Sequence, residues 1–258
     1  MPYSNITRLS TDPHNFTTDI AAGMGRLADC QVIKIYGYTP TATAGTDVWV
    51  PGTAYPLQAT ATQLEIVSAS ANDAAAGTGM RTAVITGLDA NYNQIQETIT
   101  LNGVTPVPTA GVYLRVNGLI GATAGSGGTN AGAVTLRVVS AGATQAAITA
   151  GFSYAKNGLY TVPAGYGLLV IGLMFHISGL DPTSLLVFGF SRTLSNGLFI
   201  TTQEYPIAFA TTLQRMPYYG AVIPSGATLT TRVISAAGTA CGAYTSIEGL
   251  LFPNAQVV

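Results

Sequence analysis

Ile95–Leu101, IQETITL, alternates apolar and polar side chains with a period of two near the middle of the chain. Ile95, Ile99 and Leu101 fall on one side with Glu97 interrupting, and Gln94, Gln96, Thr98 and Thr100 fall on the other. That period belongs to a pleated strand with one face on a core and the other toward water or a partner. It ends a longer stretch, Gln63–Gly103, that reads as three strands over Gln63–Ser68, Arg81–Gly87 and Ile95–Leu101. Small residues, Ala69–Gly79, separate the first two. Asp89, Asn91 and Asn93 suit the turn in LDANYNQ, because short polar side chains bond their own backbone and tolerate positive φ. Arg81–Leu101 is therefore expected to be a β-hairpin with a long loop.

The same signals recur along the chain. Cys30–Tyr38 reads as a strand and Thr39–Thr46 as a Pro/Thr/Ala/Gly linker. Val112–Leu119 reads as one strand, with Leu114 and Val116 opposite Tyr113, Arg115 and Asn117. Ala133–Val139 puts Val134, Leu136 and Val138 on one face. A second β region starts near Ala147, and Leu168–Ile177 is apolar on both sides, as a central strand would be. Leu185–Phe190 and Leu198–Gln203 flank a turn at Asn196–Gly197, and Tyr244–Phe252 closes the sheet. Turn signals recur about every eight to twelve residues, which predicts an all-β fold, a β-sandwich that is jelly-roll-like in its last part, with little helix.

The expected organisation is an N-terminal arm and first strand over residues 1–45, a β-sandwich region over 46–145, and a C-terminal sandwich over 146–258 that is separate from it or continuous with it. The arm is polar and rich in small residues. Phe16–Asp29 reads as a short helix capped by Thr17 or Thr18, or as extended chain, since Gly23 and Gly25 weaken a helix. Met1–Asp29 carries too little apolar surface to offset its own ordering entropy, so a neighbouring subunit or lattice is expected to hold it.

Charge narrows the function classes. Only 8% of the 258 residues are charged, against about 25% in average domains. A folded monomer of this size exposes roughly 10,700 Å², which leaves about one charge per 500 Å². Such a surface fits a protein covered by neighbours better than an isolated enzyme. A net charge of −1 and two lysines argue against nucleic acid as a partner. MPYSNITRLSTDPHNF has neither the basic start nor the apolar run of a secretion signal, and the ten apolar-rich residues Leu168–Ile177 are too short for a membrane span.

No residue pattern carries chemistry. Glu65 and Glu97 would be cross-strand neighbours in a sugar-hydrolysing pair, but rim charges paired with Arg81 or Arg115 are the plainer expectation. His14 falls in the arm. His176, in the most apolar strand, has no second His or Cys placed beside it by spacing. Cys30 and Cys241 read as buried free thiols or as a disulfide. Trp49, the one tryptophan, reads as a packing or interface anchor. The glycine-rich Gly121–Gly132 lacks a basic residue and a following helix, so it is no phosphate loop. GLDANYN lacks the acidic density of a calcium loop. No catalytic, cofactor-binding or metal-binding residue is assigned, and no enzyme activity or cofactor is expected.

Three pieces, SASANDAAAGTGMRT, GLDANYNQIQETITLNG and GSGGTNAG, carry a resemblance that covers about Trp49 to Val139. The stretch resembles virion structural proteins of tailed bacteriophages. The resemblance implies a virion location after synthesis in a host cytoplasm, and partners such as a major capsid protein or other virion proteins. It implies no active-site residues. Two roles fit. One is a homo-oligomeric, trimeric decoration or cement protein of the head. The other is a host-attachment or carbohydrate-binding module of a head fibre or tail, with Tyr218 and Tyr219, or Tyr113, as a sugar platform.

Overall fold

The computed structural model describes residues 29–178, 183–208, 212–215, 222–238 and 241–254, with side chains not described over 209–221. His14, Tyr218, Tyr219 and nearly all of the arm lie outside the described residues. Among those described, the chain is all β, and no helix is long and apolar enough to cross a membrane.

The fifteen strands in chain order are β1 (Gln31–Ala42), β2 (Thr62–Ser68), β3 (Met80–Leu88), β4 (Gln94–Thr100), β5 (Val107–Tyr113), β6 (Arg115–Ala124), β7 (Val134–Val138), β8 (Thr144–Ile148), β9 (Leu159–Thr161), β10 (Tyr166–Ser178), β11 (Leu185–Thr193), β12 (Phe199–Ala208), β13 (Thr212–Arg215), β14 (Thr228–Ala237) and β15 (Cys241–Pro253). They form two bodies, each with its own hydrophobic core.

The first body takes β1 and β9–β15, eight strands in two sheets ordered β1-β15-β10-β13 and β12-β11-β14-β9. Every pairing is antiparallel: the first strand of the eight with the last (β1–β15), the second with the seventh (β9–β14), the third with the sixth (β10–β13) and the fourth with the fifth (β11–β12). That is a long hairpin rolled up on itself, the jelly roll. Across its core Phe175 stacks on Phe188 at 5.0 Å and meets Tyr205 at 5.1 Å, so large rings fill the space between the sheets. The sequence grouped the first strand with the arm. In the structure it runs along β15 over nearly its whole length, from Gln31 opposite Leu251 to Tyr38 opposite Tyr244.

The second body is inserted between the first two jelly-roll strands. Its sheets, β5-β2-β7-β8 and β4-β3-β6, close on each other with β4 beside β5 and β6 beside β8. Leu64, Ile85, Val116, Leu119, Leu136 and Ile148 fill it, all buried, each contributing about 1.5–3 kcal/mol of transfer free energy. The expected hairpin is β3–β4, and Ile99 lies buried on the expected face.

Two expectations about this body are corrected. Val112–Leu119 is not one strand. The chain leaves one sheet after Tyr113 and enters the other at Arg115, with the Leu114 amide donating to the Leu88 carbonyl at 2.8 Å. The break resets the period, so Tyr113 and Leu114 are both buried. The second β region does not begin near Ala147, because Thr144–Ile148 pairs with β7 and completes the inserted body.

The two bodies are stitched together by residues 153–158. The Gly121 amide donates to Ser153 O at 2.7 Å and the Ala155 amide to Leu119 O at 2.9 Å, which ties the strap to β6. The Gly158 amide then donates to Tyr36 O at 2.9 Å, which ties it to β1. Gly37 is obligatory at that crossing, since a Cβ there would sit 2.4 Å from Val48 O and 2.6 Å from Gly158 Cα. The residues expected to be a linker, 39–46, are tied down as well, through the Gly45 amide to Val233 O at 2.8 Å.

Candidate interaction surface

The acids that invited a catalytic reading are engaged in holding backbone. Glu65 and Glu97 stand in different sheets and are not neighbours. Glu65 pairs with Arg137 at 2.7 Å, not with Arg81 or Arg115, and accepts the amides of Ser140 and Ala141, both at positive φ in the β7–β8 turn. Its burial would raise its pKa, but these partners outweigh that and hold it below the usual range. Glu97 projects from β4 across the seam to β5, accepting Ala110 N at 3.0 Å, Gly111 N at 2.9 Å and the Tyr113 hydroxyl at 3.2 Å. It thus does the work of a ladder carbonyl where the body closes. Tyr113, buried at 1% exposure, offers no platform for a sugar. In the LDANYNQ turn Asp89 accepts the amides of Asn91 and Asn93, while Tyr92 takes the left-handed conformation expected of an asparagine.

Two of the three pieces that carry the phage resemblance meet at Asp73. This residue has no exposed surface, yet its carboxylate takes Met80 N at 2.7 Å, Ala131 N at 2.8 Å, Gly132 N at 2.9 Å and the Ser68 hydroxyl at 2.5 Å. Desolvation favours its neutral form, and these four donors together overcome it, so its pKa lies below the ordinary carboxylate range. A Cβ at Gly79 would sit 2.0 Å from Asp73 Oδ1, which is why the loop carries glycine there. SASANDAAAGTGM and the glycine-rich loop are one structural knot.

The remaining candidates also have structural places. Trp49 is buried, donates from Nε1 to Thr53 O at 2.6 Å and packs edge-on against Tyr55 at 4.8 Å. Asp47 holds Arg232 with two bonds of 2.8 and 2.9 Å. Cys241 is buried while Cys30 is only half-buried, and neither is in a disulfide. His176 lies beside the Tyr244 ring at 5.8 Å on β10. Among the described residues no three His, Cys, Asp or Glu side chains group as metal ligands.

The surface that stands out lies where the strap joins the two bodies. A groove of about 430 Å³ runs between β1, β6 and the strap, with Tyr36, Ile120 and Tyr154 on its walls. These three are 46%, 53% and 41% exposed, large apolar groups left facing solvent. A second cavity of about 380 Å³ continues it, sharing Asn117 and Tyr160, and its walls are Gln31, Thr86, Gln94 and Gln96. Asn117 fixes the junction by exchanging two bonds with the Thr161 backbone, at 2.8 and 2.9 Å. Burial pushes the Tyr160 phenol up to about 12 against the opposing effect of its hydrogen bond to Gln94. Asn157, at 6% exposure, lines the groove with both Nδ2 and Oδ1 lacking a hydrogen-bond partner. Beside it Lys156 Nζ sits over Phe152 at 4.2 Å and Tyr38 at 5.4 Å. Sequence reasoning passed over this stretch. The density of aromatic and amide residues in GFSYAKNGLY, held between glycines, was the available signal.

No family model matches the chain, and no curated protein matches it. Solved structures give a faint likeness. The infectious bursal disease virus Gx strain structure shares 11% identity over 87% of this chain and 70% of that chain, with a TM-score of 0.22. The Gt strain structure shares 10% over 92% and 78%, at 0.20. The VP2 subviral particle of the same virus shares 12% over 87% and 71%, at 0.17. The architecture therefore rests on this chain's own strand pairing.

Proposed function

We propose that the chain is a structural component of a virion, and more finely a decoration or cement protein of a bacteriophage head. The observation that carries this reading is the eight-strand jelly roll whose interior is filled by its own rings. A sandwich so filled does its work on its outer surface, by being packed beside other proteins. The scarcity of charge supports the same reading, as does the resemblance over Trp49–Val139. The outer face of β3 and β4 is one example, presenting Thr82, Val84, Thr86, Gln94, Gln96, Thr98 and Thr100 without a single charge. The acids of the inserted body contribute here as scaffold. Asp73, Glu65 and Glu97 keep its loops and seam closed.

The partners in this reading are further copies of the chain, as a trimer, and a major capsid protein or other virion proteins. Counting copies in purified particles tests the role: hundreds per particle are expected, and a handful would move the chain to a tail or fibre. Sedimentation tests the assembly. An oligomer with interfaces above about 2,000 Å² is expected, and a stable monomer at micromolar concentration would remove that part of the reading.

A further inference from the structure

We propose that the groove at the junction of the two bodies binds an uncharged saccharide. This goes beyond the shell role and does not depend on it.

The groove has the two surfaces a pyranose needs. At one end the rings of Tyr36 and Tyr154 stand exposed, flat apolar faces for the C–H face of a sugar. At the other, Gln94 and Gln96 project side by side from β4 toward Thr86 on β3. Amides and hydroxyls both donate and accept, which is the pattern of a sugar hydroxyl and not of a carboxylate or phosphate. The sole charged side chain lining either cavity is Lys34, and it is paired with Glu248 at 3.0 Å. Lys156, beside the groove, does not line it and is stacked over Phe152 and Tyr38. Each cavity falls within the range of small-ligand clefts, about 300–1,000 Å³.

Asn157 is the independent observation. A buried amide with neither donor nor acceptor engaged is unfavourable by about 1–3 kcal/mol for each group, and native structures rarely keep one without a role. It lies in the groove wall with both polar atoms closed to solvent, so the side chain must turn toward the groove for a bound hydroxyl to supply the acceptor and the donor that the protein withholds. A second copy of the chain is the rival occupant. Tyr36, Ile120 and Tyr154 are the apolar groups it would cover, and sedimentation of Tyr154→Ala tells the two occupants apart.

The test titrates the full chain with maltohexaose, cellohexaose, mannohexaose and N-acetylchitohexaose by saturation-transfer NMR and calorimetry. Saturable binding of at least one, with Kd of about 0.1–1 mM, is expected. Tyr154→Ala and Gln96→Ala, both at exposed positions, should each weaken it about tenfold or more, while Leu198→Ala, exposed but lining neither cavity, leaves it unchanged. Asn157→Leu should abolish binding yet raise the melting temperature of the free protein, since it removes unsatisfied polar groups. A fall in melting temperature would show the amide already satisfied without sugar and overturn the argument. So would the absence of saturable binding up to about 10 mM, or binding indifferent to Tyr154→Ala. If Tyr154→Ala instead changes sedimentation, the groove belongs to a second copy and the proposal is wrong. Copy number in particles is a separate measurement, so failure here leaves the shell role standing.

Discussion

Asp73→Asn is the substitution that most sharply tests how the inserted body is held. The carboxylate serves four donors, two on each oxygen: Met80 N and Ala131 N on Oδ1, Gly132 N and the Ser68 hydroxyl on Oδ2. Asparagine keeps one carbonyl oxygen and turns the other position into a donor. Ser68 can rotate its hydroxyl to accept from that new amide, but a backbone N–H cannot. One amide is therefore left unbonded and facing another donor, and the bonds that survive lose their charge. A hydrogen bond to a charged group contributes about 1.5–3 kcal/mol, and an orphaned buried donor costs about 1–3 kcal/mol. The sum allows a destabilisation of about 3–5 kcal/mol, a large share of the 5–15 kcal/mol typical of a domain. At about 2–4 °C per kcal/mol, the melting transition should fall by roughly 6–20 °C. The wild type carries a further mark. Because the folded pKa is depressed below the unfolded value, this stability is present above the ordinary carboxylate range and is lost as pH falls through the folded pKa. Thermal melts from neutral to acid pH should therefore converge for wild type and variant below the unfolded value. A loss under about 1 kcal/mol at neutral pH, or a difference that persists unchanged into acid, would refute the account.

Other perturbations follow from the packing. Ile99→Ala, in the core of the inserted body, should cost about 2–5 kcal/mol in chemical denaturation, and a loss under about 0.5 kcal/mol would place the residue on the wrong face. Asp47→Ala removes the partner of Arg232 in a pair whose acid is buried and whose base is one-quarter exposed, so about 2–4 kcal/mol should be lost from the jelly-roll transition. Gly37→Ala drives a methyl into Val48 O and the Gly158 backbone, and limited proteolysis should then cut the strap over 153–158, which the wild type protects. Trp49, buried against Tyr55, should emit in the blue when folded and move to the red on unfolding, and an emission already red in the native protein would contradict its placement.

What could be read from the sequence was what local pattern determines. The β3–β4 hairpin, the buried side of Ile99 and the turn at Asn196–Gly197 follow from period and turn chemistry within a few residues. Pairings set by distant chain were not legible. Nothing in QVIKIYGYTPTA says that its partner is the last strand, nor that a whole body intervenes before the second strand of the sandwich. Tyr113 was assigned outward because the alternation was carried through Leu114, and only the change of sheet at that residue breaks it. Asp73 looked like an acid in a loop of small residues. Its role needs Ala131 and Gly132, which arrive 58 and 59 residues later. The groove was missed for the same reason, since Tyr36, Gln96 and Asn157 belong to three separate segments that only the junction brings together.

The pairing of the first strand with the last sets a clock on biogenesis. A ribosome delivers Gln31–Ala42 early, then the seven strands of the inserted body, which can close with one another as soon as Ile148 has emerged. Until Cys241–Pro253 appears, the early strand has only the strap beside Tyr36–Tyr38, because its neighbour in the sheet is β15. A nascent chain thus carries a finished inner body on an unfinished outer one, and a chain stopped short of Cys241 would leave β1 without its sheet partner and β10 with β13 alone. The outer sandwich becomes whole only once Cys241–Pro253 has emerged, so fragments that lack that strand cannot complete it.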